Sequence, residues 1–330
     1  MKFLLFLFFL CSGCGENRLN EKTSSMQDDK DFHEICRRVG GLDMTVVATG
    51  SGISKQSVSS MQDLVQKYGL NIPGSALINR DIFAGADTDD RRLNHFIDAI
   101  NSDHKIIWAI RGGYGSSRLI ATLDRTPKPK DSKIFIGFCD ATSLNLFISQ
   151  KWPNWKVIHG SSLIFLTPDS SSNKFETLMD ILEGKISTYE IRGIYPLNNK
   201  ARLQSSVVGP LTGGNLTIIE NSLKTCWEIQ TDGKILFIED THEEPQHIYR
   251  SLYHLKEAGK LSKVKALVLG HFHGAKYQDG LEPYLKGFAQ TLDIPVYATD
   301  QFGHGDFNMP IVYNAAAKIH GNEMTIDLKF

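Results

Sequence analysis

This chain of 330 residues has no excess of either charge, with 36 lysines and arginines against 37 aspartates and glutamates. The formal net charge of −1 gives no overall field that would attract nucleic acid or an anionic membrane surface. We therefore expect no nucleic-acid partner. Hydrophobic residues make up 41% of the chain, which is enough for a substantial core and, at this length, for two domains.

Long hydrophobic runs are also missing. The N-terminal run from Phe3 to Leu10 follows Lys2 and has eight residues, too few to span a bilayer but typical of a signal peptide. Small residues at 12 and 13 stand before Cys14, which resembles a bacterial lipoprotein cleavage site, although Cys11 stands where a leucine is usual. We expect an exported lipoprotein, acylated at Cys14 and membrane-anchored towards the periplasm or cell exterior. An ordinary cleaved secretory signal is the alternative.

Cysteine is scarce for an exported protein, with five in the whole chain. If Cys11 and Cys14 belong to the signal, Cys36, Cys139 and Cys226 remain. This odd number leaves at least one free thiol in a monomer. The sequence does not decide whether Cys36 and Cys226 form a disulfide, because it does not show whether these residues are close.

Apolar strand-like and helix-like segments alternate between residues 44 and 162, which predicts a parallel sheet covered by helices. The predicted strands are 44–48, 105–110 and 133–137, and the predicted helices are 57–68, 89–101 and 116–123. After a polar stretch with a short helix at 174–182, the strand and turn signals indicate a second sheet or barrel. We predict a signal peptide with a polar tether at 1–43, an N-terminal α/β domain at 44–168, a linker region at 169–206 and a C-terminal domain at 207–330.

The sequence KIFIGFCDATS places Cys139 at the tip of a predicted turn from strand to helix. A nucleophile elbow needs small residues two positions before and after the nucleophile, and these are Gly137 and Ala141. Free N–H groups and the helix dipole at this position favour a thiolate and a developing oxyanion. The sequence therefore favours Cys139 as a nucleophile, with a buried, inert thiol as the alternative.

A glycine-rich turn, RGGYGSS at 111–117, follows the second predicted strand and opens a helix. It lacks the lysine of a phosphate-binding P-loop, and Arg118 stands where a dinucleotide-binding loop has its third glycine. Its position beside the predicted elbow suggests an oxyanion hole formed by the N–H groups of Gly112 or Gly113 and Asp140. A tight turn without a ligand is the alternative.

Glu239 lies near the end of the strand-like segment KILFIED, and His304 lies in the turn FGHGDFNMP. With Cys139 they would form a nucleophile, base and carboxylate triad if the fold brings them together. Histidines also bind metals, but the segment HEEPQH is not a zinc-binding HExxH motif. We expect no metal and no cofactor. The histidines weighed for a metal site are His242, His247, His271 and His273.

Taken together, these motifs resemble the LD-carboxypeptidase family, the muramoyltetrapeptide carboxypeptidases, which includes the microcin C self-immunity hydrolases. They occur in the order of the family and cover roughly residues 44–319. The matching segments are RGGYGS (111–116), FIGFCDAT (135–142), the His159–Gly160 pair, GPLTGGNL (209–216), LFIED with Glu244–Pro245 (236–245) and GHGDFNMP (303–310).

The resemblance implies a flavodoxin-like N-terminal α/β domain, a C-terminal domain with a β-barrel-like core, and a homodimer. It also implies a Ser–Glu–His triad that falls on Cys139, Glu239 and His304, the last two in the C-terminal domain. The implied reaction removes a terminal D-amino acid from a peptidoglycan tetrapeptide or related small peptide without a cofactor. Arg111 lies in the matching loop and is a candidate ligand for the substrate carboxylate. A non-catalytic peptidoglycan-binding lipoprotein and a microcin-immunity-like amide hydrolase are the alternatives.

Three features depart from the family pattern. Cys139 replaces the family serine, the chain is predicted to be exported whereas the family is commonly cytosolic, and a glycine usual near Val312 to Asn314 is missing. A thiolate beside an imidazole is a strong nucleophile, so acyl transfer remains chemically reasonable. The longer C–S bond would nevertheless displace the attacking atom, and about 1 Å of misplacement can cost on the order of a hundredfold in rate.

Overall fold

A computed structural model describes residues 30–79, 85–168, 171–274 and 280–329. The predicted signal peptide and Cys14 lie outside the described residues. Within the described ranges, no helix has the length and apolar character needed to cross a bilayer. The helices are α1 (30–40), α2 (Lys55–Tyr68), α3 (Asp89–Asn101), α4 (Ser117–Leu123), α5 (Thr142–Lys151), α6 (Ser171–Leu182), α7 (Asn199–Leu203), α8 (Leu216–Asn221), α9 (Pro245–Glu257) and α10 (Glu282–Gln290).

The strands form two sheets. The first four are short, buried and parallel, and they build one sheet in the order β1-β2-β3-β4, with β11 added antiparallel to β4. The strands are β1 (Met44–Val47), β2 (Ile106–Ala109), β3 (Ile134–Gly137), β4 (Lys156–His159), β5 (Thr188–Arg192), β6 (Tyr195–Pro196), β7 (Ser206–Asn215), β8 (Ile235–Thr241), β9 (Ala266–His273), β10 (Val296–Gly303), β11 (Ile311–Val312), β12 (Ala316–His320) and β13 (Glu323–Asp327).

The N-terminal sheet confirms the predicted α/β class. The predicted strands are β1, β2 and β3, and the helices between them are α2, α3 and α4, with boundaries that differ by a few residues. Apolar residues on one face of the helices, such as Phe96 of α3, pack onto strand residues such as Phe135 of β3. The carboxyl ends of these parallel strands meet at one edge of the sheet, where ligands of such folds collect.

Helix α5 is buried on every side along its first two turns, from Thr142 to Ile148. The sequence predicted a helix with one apolar face, based on Leu144, Phe147 and Ile148. The polar faces are also covered because α5 packs between β3 and β4 of the first sheet and β7 and α8 of the second half. Its buried Asn145 donates from Nδ2 to the carbonyl of Gly137 at 3.0 Å, which ties the helix back to the strand that precedes it.

The second sheet has eight strands in the order β5-β13-β12-β7-β8-β9-β10-β6 and curls into a half-barrel. Strands β7, β8, β9 and β10 are parallel neighbours, whereas the outer pairs are antiparallel. This confirms the predicted barrel-like core of the C-terminal half. The half-barrel also brings the carboxyl ends of β8 and β10 to one edge.

The range 169–206, for which the sequence predicted a linker, contains α6, α7 and two strands of the half-barrel, β5 and β6. Strand β5 alternates exposed and buried residues over five positions, and its inward Tyr189 and Ile191 are core residues. An alternation of only five residues between polar turns is too short to predict a strand from the sequence. Its pairing partner, β13, is more than 130 positions further along the chain, so only the tertiary fold reveals the strand.

The two halves are joined by backbone pairing and by side chains. Strand β11 comes from the C-terminal half and pairs with β4 of the N-terminal sheet, placing Ile311 opposite His159. The N–H of Asn215, at the end of β7, donates to Oγ1 of Thr142 at 3.1 Å. A turn follows β11 in the region where the family glycine is missing, and Asn314 there adopts φ 60°, a conformation that asparagine tolerates.

The three cysteines of the described ranges are free. The Cys36–Cys226 disulfide, which the sequence did not decide, is therefore not formed. Cys36 is fully buried in α1, and burial raises the pKa of its thiol to about 12. Cys226 is exposed in a loop after α8. Cys139 is partly accessible at the end of β3.

Candidate active site

Cys139 follows β3 at a tight turn and has a left-handed backbone with φ 59°. Such a conformation is strained for a residue with a side chain, and strained residues of this kind are typical of nucleophile elbows. Gly137 is confined by the turn, since a Cβ there would lie 2.6 Å from Oδ1 of Asn145 and 2.9 Å from Cβ of Ala141. The predicted pair of small residues therefore serves the close approach of strand and helix.

Glu239 and His304 meet beside Cys139, although they are 65 positions apart. Glu239 lies near the carboxyl end of β8, and His304 directly follows β10. The Nδ1 atom of His304 is 2.5 Å from Oε2 of Glu239, and the imidazole also interacts with the Cys139 side chain. Gly303, with φ 108°, permits this approach because a Cβ there would lie 2.9 Å from Cβ of Glu239. The structure brings the three predicted catalytic residues together.

The Glu239–His304 pair is held in its charged form. Burial opposes the imidazolium of His304, but the Glu239 carboxylate and the adjacent Cys139 raise the pKa of His304 to about 10. Burial likewise opposes ionisation of Glu239, yet the charge and hydrogen bond of His304 hold the pKa of Glu239 below its ordinary value. A carboxylate that orients and charges an imidazole in this way is the arrangement of a catalytic triad.

Aromatic rings enclose the triad on its inner side. The ring of Phe138 lies 4.4 Å from that of His304 and 4.9 Å from that of His159, measured between centroids. His159, the last residue of β4, is fully buried and also contacts Phe237 at 5.4 Å. Burial lowers the pKa of His159 to about 4, Glu239 partly opposes this shift and His304 adds to it. His159 is therefore neutral at neutral pH.

The glycine-rich turn lies directly against the elbow. A Cβ on Gly112 would be 2.6 Å from Cβ of Cys139 and 3.0 Å from the backbone nitrogen of Asp140, so only glycine fits. The Asp140 carboxylate accepts a hydrogen bond from the N–H of Ser116 at 2.8 Å, which fastens the turn to the elbow. In the described loops and turns, the N–H groups of Gly112, Gly113 and Asp140 donate to no backbone carbonyl. Gly112 and the backbone nitrogen of Asp140 lie against Cys139, and their role as an oxyanion hole stays a prediction.

A cleft of about 450 Å³ opens above these residues between the two halves. Arg111 lines it and donates from Nη1 to the carbonyl of Gly52 at 2.7 Å, which fixes a guanidinium with further N–H donors. Tyr114 stands at the rim with 70% of its surface exposed. The other residues that line the cleft are Gly112, Gly113, Phe138, Cys139, Asp140, Ser162, Ile164, Phe165, Asn215, Thr217, Ile218, Asp240, Thr241, His242, Glu243 and His304.

The sequence did not single out Asp240, which lies on the cleft wall beside Glu239. Its carboxylate accepts hydrogen bonds from Asn215 Nδ2 at 2.7 Å and from the hydroxyl of Thr217 at 2.9 Å. Burial and the adjacent Glu239 raise the pKa of Asp240 to about 6. These bonds join the ends of β7 and β8. The position directly after Glu239 was the one signal that could have indicated it.

Of the histidines considered for a metal site, His242 lines the cleft. The rings of His242 and His273 are 5.4 Å apart, and those of His271 and His273 are 6.0 Å apart. His247 faces Glu243 at 3.3 Å on α9. Over the described ranges, no group of three or more histidines, cysteines or carboxylates is arranged to hold a metal ion.

Comparison with known proteins identifies both halves. Residues 44–160 match the LD-carboxypeptidase N-terminal domain and residues 208–319 match the LD-carboxypeptidase C-terminal domain. A Rickettsia conorii protein, named as a candidate carboxypeptidase, is 41% identical over 280 residues, which are 84% of this chain and 88% of that protein.

Solved structures agree in fold. The muramoyltetrapeptide carboxypeptidase from Oxalobacter formigenes aligns with a TM-score of 0.70 and 25% identity over 86% of this chain and 97% of its own. The microcin C7 self immunity protein in its wild-type apo state aligns with a TM-score of 0.71 and 20% identity, over 88% of this chain and 97% of its own, which shows a shared fold. With both domains matched in order, this chain belongs to the LD-carboxypeptidase family.

Proposed function

We propose that this protein removes the terminal D-amino acid from peptidoglycan-derived peptides, with Cys139 as the nucleophile. The observation that carries this proposal is the convergence of three side chains, one after β3, one in β8 and one directly after β10, at one cleft. Membership of the LD-carboxypeptidase family supports a hydrolase that acts on peptidoglycan peptides.

The reaction proceeds through a thioester. The thiol proton of Cys139 passes to His304 before attack, in keeping with the charged His304–Glu239 pair, and Sγ then attacks the carbonyl carbon of the scissile amide. His304 then gives this proton to the nitrogen of the leaving D-amino acid, and the C–N bond breaks. Water, deprotonated by the same imidazole, attacks the thioester, releases the shortened peptide and restores the thiol. Glu239 holds His304 in the orientation and charge state that both steps need.

Backbone donors and one arginine complete the proposed site. The N–H groups of Gly112 or Gly113 and Asp140 stabilise the oxyanion that forms after attack, because they are fixed before the reaction begins. Arg111 binds the carboxylate of the terminal D-amino acid, for which a planar guanidinium suits two parallel hydrogen bonds. No metal or organic cofactor takes part in this mechanism.

Charge in the cleft favours a peptide over a nucleotide-peptide conjugate. Among the described residues that line it, Arg111 is the one lysine or arginine, whereas Asp140, Asp240 and Glu243 are acidic. A phosphate group would meet this acidic wall, so the microcin-immunity-like activity is the weaker candidate. Because Cys139 replaces the family serine, a third candidate is a lipoprotein that binds peptidoglycan peptides without hydrolysing them.

The proposal is tested by D-alanine release from murein tetrapeptide. We expect Cys139→Ala to lose activity by on the order of a thousandfold or more, as triad nucleophile substitutions do. Cys226→Ala is the matched control, because it removes an exposed cysteine that does not line the cleft, and it should retain wild-type activity. Equal release by wild type and Cys139→Ala would contradict the assignment, and tight binding without any product would favour the binding lipoprotein.

The same assay on Cys139→Ser shows what the sulfur does. A large gain in rate would mean that the thiol is a handicap in a site shaped for a serine oxygen. A loss would mean that the site has adapted to the thiol.

We further propose that the protein is exported and anchored to the membrane through acylated Cys14, and that it is a homodimer. The apolar run before a Ser-Gly-Cys sequence supports the first proposal. The resemblance to the family supports the second, which analytical ultracentrifugation tests by mass.

A further inference from the structure

Two neighbouring buried side chains near the triad leave polar atoms without hydrogen-bond partners. In the described part of the chain these atoms are Nδ1 and Nε2 of His159 and Oε1 of Glu239. Both side chains are fully buried. An unpaired buried carboxylate oxygen is costly, so this arrangement calls for a physical reason.

The two groups face each other. Nε2 of His159 lies 3.8 Å from Oε1 of Glu239, while the other oxygen, Oε2, is bonded to His304. A distance of 3.8 Å is longer than a hydrogen bond, yet too short for a bridging water, which needs roughly 5 Å between its partners. A movement of less than about 1 Å would therefore convert this contact into a direct hydrogen bond.

The surroundings of His159 prevent larger movement. Its backbone is held between β3 and β11, opposite Gly137 and Ile311. Its ring contacts Phe138 on one side and Phe237 on another. The ionisable groups that face it are Glu239 from β8 and His304 from the segment after β10. The ring is thus fixed with Nε2 towards the carboxylate.

We propose that His159 is a positioning residue for the triad, which donates from Nε2–H to Oε1 of Glu239 and keeps Oε2 directed at His304. The inference rests on the proposed function. Its effect is greatest when His304 is neutral, after it has protonated the leaving amine, because the buried carboxylate then lacks a cationic partner. A neutral donor stabilises the Glu239 anion at that moment without adding a charge that would repel the imidazolium formed next.

The wild-type protein allows a direct test. Nitrogen-15 NMR of the imidazoles distinguishes the two neutral tautomers, and the His159 signals are assigned by comparison with a His159→Gln sample. We expect the tautomer protonated at Nε2. The tautomer protonated at Nδ1 would overturn the proposal, since Nε2 could not then donate to Glu239.

Two variants separate positioning from packing. Glutamine can place its amide nitrogen near the position of Nε2, whereas asparagine reaches only the position of Nδ1. We expect His159→Gln to keep the His304 titration close to that of wild type, and His159→Asn to raise the apparent pKa of His304, because the neutral imidazole then faces a less stabilised carboxylate, and to reduce kcat about tenfold. The titration is followed by NMR, with His304→Gln to assign the signal.

The outcome does not depend on turnover, because the His304 titration is measurable in the free protein. An unchanged titration in a folded His159→Asn variant would overturn the positioning role. An altered titration together with absence of D-alanine release in wild type would instead contradict the proposed function while leaving the positioning role intact. If His159→Asn does not fold, the wild-type tautomer decides.

Discussion

At the residue scale, the chemistry depends on which atom occupies position 139 and on the groups that surround it. The sequence was sufficient to predict Cys139, because small residues on both sides mark an elbow. It named Glu239 and His304 as candidates but did not show that they converge, since no spacing rule joins residues 65 positions apart. The sequence could not predict the surroundings of His159, because the residues that contact it come from three distant parts of the chain.

The buried His159 predicts a dependence of stability on acid. Its pKa is about 4 in the folded protein against an ordinary value of 6.5. The unfolded chain therefore takes up a proton there as the pH falls below about 6.5, while the folded chain resists until about 4. Since one pKa unit corresponds to 1.36 kcal/mol, the free energy of unfolding falls by about 3 kcal/mol across this window.

Urea unfolding of wild type and His159→Gln at pH 7 and pH 4 measures this effect. The variant cannot titrate at position 159, so it should lose less stability between the two pH values. Asp240 also titrates in this region, but its contribution is present in both proteins and largely cancels in the comparison. Parallel loss of stability in both proteins would show that His159 is not buried as a neutral ring.

At the element scale, function depends on the junction of β3 and α5. The sequence predicted this strand, the turn and a following helix, because each has a local signal. It did not predict that α5 is buried on all sides, since that results from the C-terminal half packing against it. Strand β4 was likewise missed, although it ends in His159 at the active edge, because its four residues resemble many apolar segments.

Gly137→Ala should disturb this junction. The new Cβ would lie 2.6 Å from Oδ1 of Asn145 and 2.9 Å from Cβ of Ala141, both held in the turn. We expect a loss of roughly 1–3 kcal/mol in the free energy of unfolding, as overpacking in a core costs, and a lower kcat.

Gly287→Ala is the matched control for this prediction. It lies inside α10, and a Cβ there meets nothing within 4 Å. Alanine should stabilise the helix by roughly 0.5–1 kcal/mol. If Gly137→Ala retains wild-type stability and kcat while the control behaves as expected, the elbow is not as tightly packed as described.

At the scale of the whole molecule, the active site exists only where the two halves meet. The N-terminal sheet contributes Cys139 and the glycine-rich turn, and the half-barrel contributes Glu239 and His304. The sequence predicted both fold classes, but not the exchange of β11 into the N-terminal sheet or the strands within 169–206. These features depend on pairing between distant segments, which composition and periodicity do not encode.

The proposed membrane anchor is also a property of the whole molecule. In a bacterial host, the full chain should incorporate a radiolabelled fatty acid and sediment with the membranes, because a lipoprotein is acylated at the first mature cysteine. Cys14→Ala should lose the label and leave the membrane fraction, whereas Cys226→Ala should keep both. Equal labelling of Cys14→Ala and wild type would contradict acylation at this residue.

The central claim is that Cys139 carries the acyl group during hydrolysis. It is tested most directly by rapid acid quenching of the enzyme with murein tetrapeptide, followed by mass spectrometry of the proteolysed chain. We predict an adduct on the peptide containing Cys139, with the mass of the substrate less D-alanine, that is absent in Cys139→Ala. Release of D-alanine at the wild-type rate by Cys139→Ala, with no adduct on Cys139 in wild type, would contradict the account.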